Sequence, residues 1–112
     1  MKLRRQQHGT VVVVSLDEAL AGEEAIAFQR EVEESIESKH GRVVIDMHGV
    51  SYLDSAGIEA LLDLCGERRA TSMRPRLALL GETCREALDI TNALDQLDVF
   101  DTVENAIRSY KR

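Results

Sequence analysis

The sequence is short of punctuation. It has a single proline and no Gly/Ser-rich run, so no internal linker divides it. No repeat or low-complexity tract breaks it either, and 112 residues suffice for one core but not for two ordinary domains. Residues 1–112 are therefore read as one domain. The two cysteines, Cys65 and Cys84, are far apart and in no metal-like spacing, which leaves two reduced thiols, with Cys65 packed on a helix face. The longest unbroken apolar run, Val11 to Val14, is far too short to span a membrane, so no membrane insertion is expected. Met1-Lys2-Leu3-Arg4-Arg5 begins as a signal peptide does. Gln6, Gln7, His8 and Gly9 then stand where an apolar core would be needed, and a cytoplasmic protein is the expectation.

Positive charge is also scarce. Lys and Arg number 14 against 20 Asp and Glu, and the net charge of −6 opposes non-specific binding to nucleic acid, so no direct nucleic-acid partner is expected. Phosphate-cradling glycine loops are missing, with neither a Walker sequence nor a dinucleotide fingerprint. No cofactor is implied. What remains, 44% hydrophobic and 30% charged residues, is the mix of a soluble globular protein.

In chain order, Leu3–His8 and Val11–Leu16 read as two strands around a Gly9-Thr10 turn. The uniformly apolar Val11–Val14 places the second strand near the centre of a sheet. A polar connection leads to a helix from about Glu23 to Lys39, with Ala25, Phe28, Val32 and Ile36 on its buried face and Gly41 placed to end it. Val43-Val44-Ile45 reads as a buried strand. A second helix, marked by Ile58, Leu61, Leu62 and Cys65, should run to near Ala70, and Thr71 to Pro75 is a loop. Leu77–Leu80 is the next strand, closed by Gly81, and Thr83 with Glu86 has the capping-box spacing for a helix to about Ile90. Val99-Phe100 is a last short strand, and Asp101 with Glu104 should cap a final helix through Ile107 toward Tyr110. Strands alternating with helices give an α/β fold, and the long crossovers make its sheet mostly parallel, mixed by the first hairpin.

The chain is organised around residues Val43 to Cys65, VVIDMHGVSYLDSAGIEALLDLC. Between strand and helix sits Asp54-Ser55-Ala56-Gly57, which presents a serine at a helix N-terminus. A hydrolase nucleophile elbow needs glycine two residues before the serine, and Leu53 stands there. His48 would be the nearest base in sequence, in no recognisable triad order. The many carboxylates lie mostly on solvated helix faces, as at Glu59, Asp63 and Glu67, and an enzyme is not expected. At a minimum Asp54 and Ser55 cap the helix, since both residue types accept from free backbone N–H groups.

IDMHGVSYLDSAGIEALL resembles the signature of the STAS domain, the fold of bacterial anti-sigma factor antagonists. The C-terminal half, Arg85 to Ile90 and Leu97 to Ile107, is similar to the family's usual pattern as well. The resemblance covers nearly the whole chain and implies one STAS domain: a hairpin, a mostly parallel sheet and about four helices. It implies a regulator that switches partners. In such proteins the unmodified antagonist binds an anti-sigma factor that is also a serine protein kinase, ATP-dependent phosphorylation of the motif's first serine releases it, and a serine phosphatase reverses the change. Ser55 is the matching serine, with Asp54 and Gly57 as its neighbours and Ala56 where many members carry a second serine. The implied partner surface comprises Ser51, Tyr52, Asp54, Ser55, Ala56, Gly57 and Ile58. Members commonly carry Gly-x-Leu-Asp after the hairpin, its aspartate helping to hold the kinase. Glu18-Ala19-Leu20-Ala21 stands there, and Asp17 and Glu18 are the candidates to replace that aspartate. Stand-alone domains of this kind also serve as non-enzymatic subunits of lipid-transport ATPases and of chemotaxis or stress-signalling complexes. That is the second reading, and an anion-sensing module is the third.

Overall fold

In the computed structural model, which describes residues 3–38, 41–67 and 69–110, the strand signals and the helix signals fall on one five-stranded sheet and its covering helices. Strand β1 (Arg4–His8) turns back through Gly9, whose φ of +62° glycine adopts without strain, into β2 (Val11–Ser15). These two pair antiparallel, with His8 opposite Val11 and Arg4 opposite Ser15. The remaining strands, β3 (Val43–Asp46), β4 (Arg76–Ala78) and β5 (Val99–Phe100), follow in parallel, giving the spatial order β1-β2-β3-β4-β5.

The uniform valines of β2 have a simple cause: both faces of the sheet are covered. Val12 and Val14 join the larger core with Val43, Ile45 and Leu77. Helices α1 (Gly22–Ser38), α2 (Ser55–Cys65) and α3 (Glu82–Ile90) close that face. Val11 and Val13 join Val44 and Ala78 on the other, against α4 (Val103–Arg108). Strand β1, by contrast, is exposed along its length, and its RRQQH composition suits a solvated edge. The expected face of α1 is buried at Ala25, Phe28, Val32 and Ile36. Gly41, at φ +83°, donates its N–H to the Ile36 carbonyl at 2.8 Å, while the expected end at Lys39 lies outside the described residues.

Several local features differ from the sequence reading. Helix α2 stops at Cys65, where its apolar periodicity stops, and not near Ala70; Gly66 takes an extended conformation there and donates to the Leu62 carbonyl at 2.9 Å. The segment expected as a plain loop, Thr71 to Pro75, contains a 3₁₀ turn, Thr71–Met73. Strand β4 is Arg76–Ala78 and not Leu77–Leu80, because Leu79 turns into the left-handed region at φ +58°. Helix α3 begins at Glu82 with Gly81 as its N-cap, so the Thr83 capping box does not form, and Thr102, not Asp101, caps α4 by accepting from the Asn105 N–H at 3.0 Å.

Arg76 was not anticipated as an interior residue. It is buried, with no carboxylate against it among the described residues, and its charge is met by carbonyls: Thr71 and Arg74 at 2.7 Å each, with the Ser109 hydroxyl at 2.9 Å. Its guanidinium lies 3.8 Å from the centre of the Tyr110 ring, a cation–π contact. The Tyr110 hydroxyl lies 2.8 Å from the Val43 carbonyl and 2.9 Å from that of Arg74, and accepts from the Val43 N–H at 3.2 Å. One side chain thus ties the chain's end to the start of β3 and the entry to β4. Tyr110→Phe should cost about 1–2 kcal/mol in urea unfolding. Burial also pushes the Tyr110 hydroxyl above its ordinary value of 10.0. The unfolded hydroxyl therefore ionises first, stability falls as pH rises past that value, and Tyr110→Phe should flatten this alkaline decline.

Candidate functional site

Parallel strands release their connections at one end, and there the β2–α1 loop meets the β3–α2 loop. The two touch backbone to backbone. The Leu20 N–H donates to the Tyr52 carbonyl at 3.0 Å, and Leu20 and Leu53 form an isolated parallel bridge. Two glycines permit this approach. A Cβ on Gly57 would fall onto the Leu20 carbonyl oxygen, and one on Gly49 onto the Asp17 carboxylate and, at 2.6 Å, the Leu16 carbonyl. The glycines of the motif are therefore contact surfaces for a neighbouring loop.

Asp54 fastens the junction. In extended conformation at the N-cap of α2, it accepts the Gly57 N–H on Oδ1 at 2.9 Å and the Gly22 N–H on Oδ2 at 3.0 Å. A single carboxylate thus holds the first turns of both α1 and α2, with Gly22 at φ +54°. The Gly57 N–H is the main reason the Asp54 carboxyl titrates below its ordinary value, with Gly22 adding to it.

Ser55 is the first residue of α2 and is exposed. Its hydroxyl makes no hydrogen bond among the described residues, so Asp54 alone supplies the side-chain cap. Ala56 and Ile58 are half-buried against the larger core, and Gly57 is buried. Ser51 and Tyr52 are exposed on the preceding loop, Tyr52 at 50%. Asp17 is exposed and pairs with Arg4 of β1 at 2.5 Å, which holds its carboxyl below the usual range. Glu18 is half-buried and makes no ion pair among the described residues. Ser51 and Tyr52 thus lie on the loop that leads into Asp54 and Ser55, and the loop carrying Asp17 and Glu18 meets that loop at Gly49, Tyr52 and Leu53.

The sequence reading placed Gly49 at the start of the partner-surface loop, Gly49 to Asp54, but assigned no packing role to it, to Gly22 or to the Leu20 carbonyl. Gly49 stood inside the quoted motif, but only the folded chain shows which loop it must admit. The hydrolase reading gains nothing, since among the described residues no histidine bonds Ser55, and Leu53 is buried in the elbow's glycine position. Among the described residues no cluster of His, Cys, Asp and Glu could hold a metal, and no helix is long and apolar enough to cross a membrane.

A model of the STAS domain matches residues 2–106. The chain belongs to the STAS family. Solved structures agree on the fold. A Thermotoga maritima protein described as a candidate anti-sigma factor antagonist superposes with a TM-score of 0.84 at 18% identity, covering 98% of this chain and 95% of its own. An anti-sigma factor antagonist from Mycobacterium paratuberculosis gives 0.82 at 18% identity, over 99% of this chain and 94% of its own. The murine anion transporter Slc26a9 contains the same fold as 18% of its chain, with a TM-score of 0.70 at 19% identity over 95% of this one. No curated protein sequence matches.

Gly57→Ala should destabilise the domain by about 2–4 kcal/mol, because a backbone carbonyl cannot yield as a side-chain tip does. Gly81→Ser, where a Cβ meets open space and the α3 N-cap lacks a side-chain acceptor, should be neutral or stabilising in the same chemical denaturation series. The Asp54 carboxyl, lowered in the folded state, contributes stability above its ordinary value of 3.8, and that contribution is lost as pH falls through the folded value. Asp54→Asn should therefore lower the melting temperature at neutral pH and flatten the acid limb of the stability profile.

Proposed function

We propose that this STAS protein is an anti-sigma factor antagonist that acts by partner switching, without catalytic activity of its own and in the cytoplasm. Unmodified, it binds an anti-sigma factor that is also a serine kinase. That kinase transfers the γ-phosphoryl group of ATP to the Ser55 oxygen, the hydroxyl proton leaves, ADP departs, and a serine phosphatase restores the hydroxyl. One observation carries the reading: Ser55 is exposed with an unbonded hydroxyl, while Asp54 and Gly57 on either side are locked. Its modification breaks no internal contact, so the fold can survive while the surface changes.

The change is large for a partner. A phosphate brings about −1.5 to −2 charges beside the Asp54 carboxylate. A partner packed over Ser55 then has to bury a dense, unpaired negative patch at a cost of several kcal/mol, where about 1.4 kcal/mol is a tenfold loss of affinity. The same face would bring in Ser51, Tyr52 and the loop of Asp17 and Glu18.

The second reading is a constitutive subunit of a larger assembly, such as a lipid-transport ATPase or a chemotaxis or stress-signalling complex. It is favoured by Ala21, where family members commonly have the kinase-holding aspartate. Leu20 still bridges to Leu53, so the loop keeps its place in the fold while lacking that acid.

Incubation with ATP and lysate of the native cells, followed by phosphopeptide mapping, should find phosphate on Ser55 and none in Ser55→Ala. Ser55→Asp should weaken kinase binding at least 100-fold with an unchanged circular dichroism spectrum. Unmodified Ser55 in an active lysate, with stable co-purification of an ATPase, would favour the subunit reading instead.

A further inference from the structure

The opposite end of the sheet has its own recess. There the β1–β2 turn, the entry to β3 and the last turn of α4 enclose a hollow of about 480 Å³, larger than three others on the surface. Its size lies within the range of small-molecule sites, and its lining is part apolar and part polar. Val11, Ile107 and Tyr110 supply the apolar lining, continuous with the smaller core. His8, Thr10 and Arg42 supply the polar part.

Arg42 supplies the charge of this lining. The chain carries a net charge of −6, yet this guanidinium meets no carboxylate among the described residues. It is exposed, and among the described residues its one side-chain hydrogen bond runs from Nη1 to the Thr10 hydroxyl at 2.9 Å. That bond stations the group beside the hollow and leaves its other N–H donors open. Among the described residues four other arginines pair with carboxylates, Arg4 with Asp17, Arg5 with Glu31, Arg69 with Glu33 and Arg74 with Asp98, whereas Arg42 keeps its charge unpaired at the edge of a hollow. A planar cation with open donors beside an apolar hollow matches a carboxylate head on an apolar body.

We propose that this hollow binds a small amphiphilic carboxylate, with its head on Arg42 and its apolar body against Val11, Ile107 and Tyr110. Thr10 and His8 stand where they can donate further hydrogen bonds to the head. The site lies at the end of the sheet remote from Ser55, so it is independent of the phosphorylation reading and leaves the partner face open when filled.

Octanoate is the probe, titrated into the ¹⁵N-labelled full chain while amide shifts are followed. Saturable shifts confined to the amides around Gly9–Val11, Arg42 and Ile107, weakened about tenfold or more in Arg42→Gln, are the expected result. Arg42 is exposed, so this variant should fold, and an unchanged spectrum away from the hollow checks that it does. Octylamine, with the same chain and opposite charge, should leave these amides unmoved. Diffuse or unsaturable shifts, equal binding by octylamine, or undiminished affinity in Arg42→Gln would each overturn the proposal.

Discussion

Two helix starts share one carboxylate, and the candidate functional end of this domain depends on that. Asp54 accepts one backbone N–H from α2 and one from α1, so neither helix can shift its first turn without loosening the other. The N-termini of both helices carry partial positive charge, and a single anion placed between them satisfies both. The close passage of Gly57 under the Leu20 carbonyl and of Gly49 beside Leu16 brings the loops near enough for this to occur. Remove the small residues and the loops part; remove the anion and the joined loops lose their fastening.

This arrangement explains how a serine can be conspicuous and structurally idle at once. Helix caps usually consume the hydroxyl or carboxylate that provides them. Here Asp54 has taken that work, and Ser55, one residue later, is left with its hydroxyl in solvent. The domain around it is held by contacts that do not pass through it: the two-faced burial of β2, the larger core under α1 and α2, and the Tyr110 and Arg76 lock at the far end. A surface that changes charge on a frame that does not change shape is what partner discrimination by modification requires.

Much of this was legible in the sequence because it is carried by periodicity. Val11–Val14 reads as a central strand because both its faces are covered, and Ala25, Phe28, Val32 and Ile36 read as one helical face because they are one. The motif's serine was legible as the first turn of a helix, since the apolar period changes just beyond it. The misreadings are local and share a cause. Thr83 with Glu86 and Asp101 with Glu104 both have capping spacing, but spacing does not say where the preceding chain leaves the extended conformation, and Gly81 and Thr102 occupy that point instead. Strand β4 was drawn past its end because Leu79 is apolar, and nothing in its neighbours reveals a left-handed backbone. Arg76 reads as a surface charge until its carbonyl partners, supplied by the 3₁₀ turn and the end of α4, are assembled around it.

The position of the cap also decides how a phosphate on Ser55 would act. At an open helix N-terminus a phosphate can turn inward, take the free N–H groups and become part of the fold. In this domain the Gly57 N–H is already given to the Asp54 side chain, and the Ile58 N–H to the Asp54 carbonyl at 3.0 Å. The carboxylate that holds the cap also repels a second anion approaching the same turn. Drawing the phosphate into the cap would mean displacing Asp54, which would release Gly22 and the start of α1 as well. Surface display costs the fold less than insertion does, so on the proposed reading the negative charge would stay on the exposed face of Ser55.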